Sequence, residues 1–162
     1  MIDSPQIVQT RDEQYAFIHL VISHSQIQTV LRPTLQQLHD TLTAHGIPVD
    51  HPWFAHHLTL GGGELNFEVC LPVDEPFAAS GAVRPGVWPA GAVARTVHYG
   101  DYPSLPAAWN ELRAWIAQSG HVPAKDIYER YVVHQGSTKD PAANRTELSW
   151  PLVVSPTQQE QA

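Results

Sequence analysis

The chain says the same thing twice. Leu31, Leu35, Leu38 and Leu42 stand four, three and four residues apart and are followed by Gly46 and Pro48. Leu105, Trp109, Leu112 and Ile116 keep that spacing 74 residues later, followed by Gly120 and Pro123. Each set lays an apolar stripe along one helical face, and each glycine is a helix stop. Pro33 fits only a first helical turn, so regular helix is expected from near Arg32.

Short runs rich in strand formers flank each helix. In the first half they are residues 15–23, 53–60 and 65–73, with a turn at Gly61, Gly62 and Gly63. In the second half they are residues 91–100, 127–134 and 146–154. The last strands align with Pro72 on Pro151, an offset of 79, so the second hairpin loop holds five extra residues. An internal duplication of this length gives two similar units rather than a solenoid. The reading is one domain over 1–162, with repeats at about 5–74 and 81–154, a linker at 75–80 and a disordered polar tail at 155–162. The class is α+β: duplicated strand-helix-strand-strand units, antiparallel sheets with helices on one side, and a cleft along the pseudo-two-fold axis. Ligand pockets favour such interfaces.

Composition narrows the function. A net charge of −7, with nine Lys and Arg and no basic run, argues against direct nucleic-acid binding. No apolar run reaches the roughly 20 residues that a membrane helix needs. The first residues lack the charged and apolar regions of a secretory signal, so a cytoplasmic protein is expected. Cys70 is the only cysteine, which excludes an intrachain disulfide. It reads as a small core residue rather than a nucleophile. His51, His56 and His57 lie close in sequence, but neighbours on a strand point to opposite faces. Neither a metal nor a cofactor is expected. The three glycines at 61–63 lack the Lys-Ser/Thr that completes a phosphate loop.

One residue resists the pattern. Glu129 sits mid-strand between Tyr128 and Tyr131, where an isolated carboxylate is costly to bury. Strand period puts Ile127, Glu129 and Tyr131 on one face and Tyr128, Arg130 and Val132 on the other. In the first repeat Ala55 occupies the equivalent place, with Phe54 and His57 matching Tyr128 and Tyr131. The repeat has kept one acid, which speaks against a paired-carboxylate mechanism. Glu129 is either a structural carboxylate, facing water or paired with an arginine such as Arg95 or Arg145, or a group presented to a ligand. Burial among aromatic rings is expected to raise its pKa, which suits a cation anchor and a general base alike.

Four features of the second half, in order, resemble the GyrI-like small-molecule-binding fold, also called the AraC-type effector-binding domain. They are Gly100 with Tyr102, Trp109 in mid-helix, Glu129 flanked by Tyr128 and Tyr131, and Thr146-Glu147-Leu148 with Pro151. The first half resembles the family only through the duplicated skeleton. The resemblance implies a tandem pair of units around a concave pocket that takes aromatic, often cationic, drug-like molecules, with Glu129 at its floor. Tyr102, Tyr128, Tyr131, Trp88 and Trp109 are then the aromatic candidates around it, with Phe54, His57 and Trp53 from the first repeat according to which face looks inward. Trp88, set in a Pro- and Gly-rich joint, has the look of an exposed residue.

A stand-alone binding role is implied, as effector binding, drug sequestration or resistance. Some relatives hydrolyse electrophilic cyclopropane-bearing natural products with a Glu and a Tyr. That alternative makes Glu129 and Tyr102 catalytic. Gyrase inhibition through protein contact is a third implied role. A homodimer or another protein partner stays open.

Overall fold

Both stripes and all the paired runs condense onto one antiparallel sheet rather than two sheets side by side. The computed structural model describes residues 2–59, 63–133 and 140–153. The first repeat contributes β1 (Gln6–Thr10), β2 (Glu13–Ser23), α1 (Ile27–Ala44), β3 (Phe54–His57) and β4 (Glu64–Pro72). The second contributes β5 (Arg84–Trp88), β6 (Gly91–Tyr99), α2 (Leu105–Gln118), a short β7 (Val122–Pro123), β8 (Ile127–Val133) and β9 (Arg145–Val153). The strand order is β1-β6-β9-β8-β3-β4-β2-β5, with β7 joined to β9. The expected turn at Gly61 and Gly62, the second hairpin loop at 134–139 and the tail at 155–162 lie outside the described residues.

The edge strands are exchanged. β1 leads into β2 yet pairs with β6, and β5 leads into β6 yet pairs with β2. Each repeat thus closes the sheet of the other. The two halves meet where β3 pairs with β8, in a register that sets Ala55 opposite Glu129, Phe54 opposite Arg130 and His56 opposite Tyr128. Positions 74 apart in sequence are therefore related by a two-fold axis through the Ala55–Glu129 pair. Identical acids at both positions would face each other directly across the ladder, which like charges disfavour.

Both helices pack on one face of the sheet. Leu38 and Leu42 of α1 are fully buried with Ala16, Ile18, Phe67 and Val69. Leu112 and Ile116 of α2 are fully buried with Ala94, Leu148 and Trp150. Tyr131, although on β8, packs into the α1 core, and Tyr102 packs against both cores. Removing the outer atoms of any one such leucine would cost about 2–5 kcal/mol.

The helix entries are built alike. The Ser23 N–H donates to the Gln26 side chain at 2.9 Å, and the Asp101 carboxylate accepts the Ser104 N–H at 3.2 Å. Both helices end at a glycine with positive φ, 72° at Gly46 and 79° at Gly120, where a side chain would be strained. α1 has 18 residues against 14 in α2, one extra turn at its start. Pro33 therefore lies inside the helix instead of opening it. A proline cannot serve the carbonyl of Thr29, which is on an exposed residue, and the Thr34 hydroxyl donates to the Val30 carbonyl at 2.8 Å. Among the described residues, no helix is long and apolar enough to cross a membrane.

Candidate functional site

On the helix face, at the two-fold axis, Glu129 is buried and its side chain is only 11% exposed. Its two oxygens have separate partners. Trp109 Nε1–H, from mid-α2, donates to Oε1 at 2.6 Å. The Tyr131 hydroxyl, two residues along β8 on the same face, donates to Oε2 at 2.6 Å. His57 Nε2, from β3 of the other repeat, lies 3.9 Å from Oε2.

Aromatic rings close around this carboxylate. Trp53 lies over Tyr131 with ring centroids 4.3 Å apart, and Tyr102 meets the same ring edge-on at 5.8 Å. His57 stacks on Phe67 at 5.4 Å, and Trp109 meets Trp150 edge-on at 5.5 Å. Of the residues the sequence points to, Glu129, Tyr131, Trp109, Tyr102, His57 and Trp53 are brought together. Trp150 joins them. Strand phase gives the signal for Trp150, which shares a face with Thr146 and Leu148.

Tyr128, Trp88 and Phe54 lie elsewhere, on the far face. Trp88 is 4% exposed, not a surface residue, and stacks on Tyr128 at 3.7 Å and 3°. Its strand β5 lies in the Pro- and Gly-rich joint at the start of the second repeat. Phe54 packs 6.0 Å from Tyr128, under the Arg130 guanidinium at 4.9 Å. Arg130 in turn binds both oxygens of Glu13, at 2.7 and 2.9 Å.

The expected direction of the Glu129 pKa is reversed. Burial pushes it up, but His57, Tyr131 and Trp109 together outweigh burial and hold the carboxyl below its usual value. Burial and the adjacent carboxylate push the Tyr131 hydroxyl well up, so it remains a donor. Neither arginine named as a structural partner serves Glu129. Arg95 lies 3.5 Å from Glu147 and donates to Ser149, and Arg145 lies over the Tyr99 ring. Among the described residues, no Lys or Arg is paired with Glu129.

The other reactive candidates settle into the framework. Burial raises the Cys70 thiol well above its usual pKa, which leaves it unreactive. His56 lies on the far face between Glu68 at 2.8 Å and Asp126 at 2.7 Å, so both ring nitrogens are occupied. His51 joins Asp50 and Asp74 in an exposed group whose donor atoms lie within 4.8 Å.

The fold that brings these residues together has relatives. The GyrI-like small molecule binding domain profile matches residues 4–153, and the chain belongs to that family. The EcmrR C-terminal domain superimposes with a TM-score of 0.83 at 18% identity, covering 94% of this chain and 98% of that one. Against EcmrR in its DNA complex the TM-score is 0.82, and the match spans 58% of the EcmrR chain. A Listeria innocua hydrolase encoded by lin2189 gives 0.70 at 10% identity over 92% of this chain and 91% of its own. SAV2435, solved bound to tetraphenylphosphonium, gives 0.63 at 11% identity over 99% and 100%. No match was found among curated proteins. At these identities the structural neighbours speak for the fold alone.

Proposed function

We propose that the chain binds a hydrophobic aromatic cation between α1 and α2, with Glu129 as its anchor and Trp53, Tyr102, Trp109, Tyr131 and His57 as its enclosure. The observation that carries this reading is the set of partners around the buried Glu129. Its two oxygens accept from neutral donors, Trp109 and Tyr131, and among the described residues no arginine or lysine is paired with it. An ionised group with little charge compensation in a dry aromatic setting favours a cation that replaces its missing water. The surrounding rings add cation–π attraction. SAV2435 holds tetraphenylphosphonium on the same fold, which makes that cation the natural probe. Effector binding, drug sequestration and resistance are roles that such a site would serve.

Hydrolysis is the weaker reading. A carboxylate with lowered pKa is a poor general base, and a tyrosine with raised pKa is a poor acid. The test is calorimetric titration with tetraphenylphosphonium and with triphenylphosphine oxide, which is bulky, aromatic and uncharged. Wild-type protein should prefer the cation, and Glu129→Gln should cut cation affinity by about 100-fold, the scale of a lost charge-assisted contact, while sparing the oxide. Equal cation binding by Glu129→Gln and wild type would remove Glu129 as the anchor.

A further inference from the structure

Glu129 has one ionisable basic neighbour among the described residues, and that neighbour comes from the opposite repeat. His57 ends β3, is placed by pairing with Phe67 and Ile127, and stacks on the Phe67 ring. Its Nε2 lies 3.9 Å from Glu129 Oε2, the oxygen that the Tyr131 hydroxyl also binds. The separation is too long for a hydrogen bond but short for two charges. With its side chain 18% exposed, the imidazole can exchange a proton with solvent while Glu129 stays enclosed.

The rest of the surroundings leave this pair electrically isolated. On the same face, β8 adds Tyr131, the turn before α2 adds Tyr102, and β4 and β9 add Phe67, Val69, Thr146 and Leu148. α1 offers Leu31, Leu35 and Leu38, and α2 offers Leu105, Trp109 and Leu112. The charged and titratable residues of the two helices, Arg32, His39, Asp40, Glu111 and Arg113, are exposed. His56, the next residue back, points to the far face and is held there by Glu68 and Asp126. Thus, among the described residues, the titratable groups on this face are Glu129, His57, the buried Tyr131, the half-buried Tyr102 and, two strands away on β6, the buried His98, whose Nε2 lies 2.9 Å from the Ser104 hydroxyl.

We propose that His57 is the specificity-determining residue of the ligand site, an internal counter-cation that a ligand's positive charge must displace. This rests on the ligand reading above. When His57 is protonated, the Glu129–His57 pair is neutral overall and the enclosure treats charged and uncharged aromatics alike. When His57 is neutral, the carboxylate is left to the ligand and cations are preferred. A proton on His57 and a cation beside Glu129 are two ligands for one carboxylate. Each therefore weakens the other by the same factor. Whichever state His57 is in, the Glu129 carboxylate keeps the Trp109 and Tyr131 donors, which favour its anion. The first repeat thus supplies not a second acid but the group that tunes the one acid present.

The experiment is titration of tetraphenylphosphonium and triphenylphosphine oxide against wild type, His57→Phe and His57→Gln at pH 5.5 and 7.5. Each is repeated in two buffers of different ionisation enthalpy, to count the protons exchanged. For wild type, cation affinity should rise about tenfold from pH 5.5 to 7.5, with net proton release on binding at the lower pH. The oxide should bind equally at both. In either His57 variant, cation binding should be independent of pH and release no proton, and the glutamine variant covers failure of the phenylalanine one to fold. If wild type binds the cation through Glu129 with no pH dependence, the counter-cation is wrong and the ligand reading survives. A pH dependence that persists in both variants also overturns it, by assigning the proton to another group. Absence of cation binding at both pH values overturns the ligand reading and this inference together.

Discussion

At the two-fold axis the sheet carries ionisable side chains on both faces, and the two faces treat charge in opposite ways. On the far face every charge has a counter-charge. His56 sits between Glu68 and Asp126, Tyr15 donates to Glu68 at 2.9 Å, and Arg130 binds Glu13 with Glu147 3.8 Å from its Nε. Aromatic stacking seals the set, with Tyr128 held between the His56 and Trp88 rings. On the helix face Glu129 has two neutral donors and one imidazole at 3.9 Å. The same strands, β3 and β8, supply both arrangements. The far face is a finished structural network that ties Glu68 of the first repeat to Asp126 of the second. The helix face gives its carboxylate two hydrogen-bond donors and, among the described residues, no paired arginine or lysine.

The comparison can be broken most forcefully by putting a second acid on the axis. Ala55 is 1% exposed and lies opposite Glu129, so Ala55→Glu would bury a second carboxylate beside the first. Denaturant unfolding should show a loss of about 3–5 kcal/mol, the scale of an uncompensated buried charge. Adding Glu129→Ala to that variant should return at least about 1 kcal/mol, since the cost is partly mutual repulsion. Full additivity would mean that the two sites do not share one space.

A smaller effect sharpens the other half. Burial pushes the His56 pKa down, but hydrogen bonds to Asp126 and Glu68 outweigh it and leave the imidazole above its usual 6.5. Its contribution to stability is therefore fully present below about pH 6.5 and is lost as pH rises through the elevated folded value. Urea unfolding from pH 6 to 9 should show stability falling with pH in wild type and a shallower slope in His56→Gln. Identical slopes would show that the far-face network is not held by a protonated His56.

Some of this was legible from sequence because it is local. The helical stripes and the strand phase of residues 127–131 need only a period of 3.6 or 2, and both are regular here. The equivalence of Ala55 and Glu129 follows once the duplication is seen, but a two-fold axis brings together only the positions that lie on it, so their pairing across β3 and β8 was not legible. The edge strands were not legible. β1 and β5 each have five residues, β5 contains Pro85 and Gly86, and each pairs with the other repeat rather than its sequence neighbour. Trp88 is buried because of that exchange, which carries it onto Tyr128. The Glu129 pKa direction was likewise beyond sequence. Burial alone raises it, and the opposite sign comes from Trp109, Tyr131 and His57, which reach it from three different elements.

A crystal structure of the complex with tetraphenylphosphonium tests most directly where a cation settles. A competing recess of about 440 Å³ lies at the β5 edge, lined by Tyr15, Val73, Pro76, Phe77 and Val87, with no carboxylate among its lining residues. The cation is expected between α1 and α2, in contact with Glu129, with the Trp109 or Tyr131 side chain turned away from the carboxylate. Density for the cation in the β5 recess, with both Glu129 hydrogen bonds intact, would contradict it.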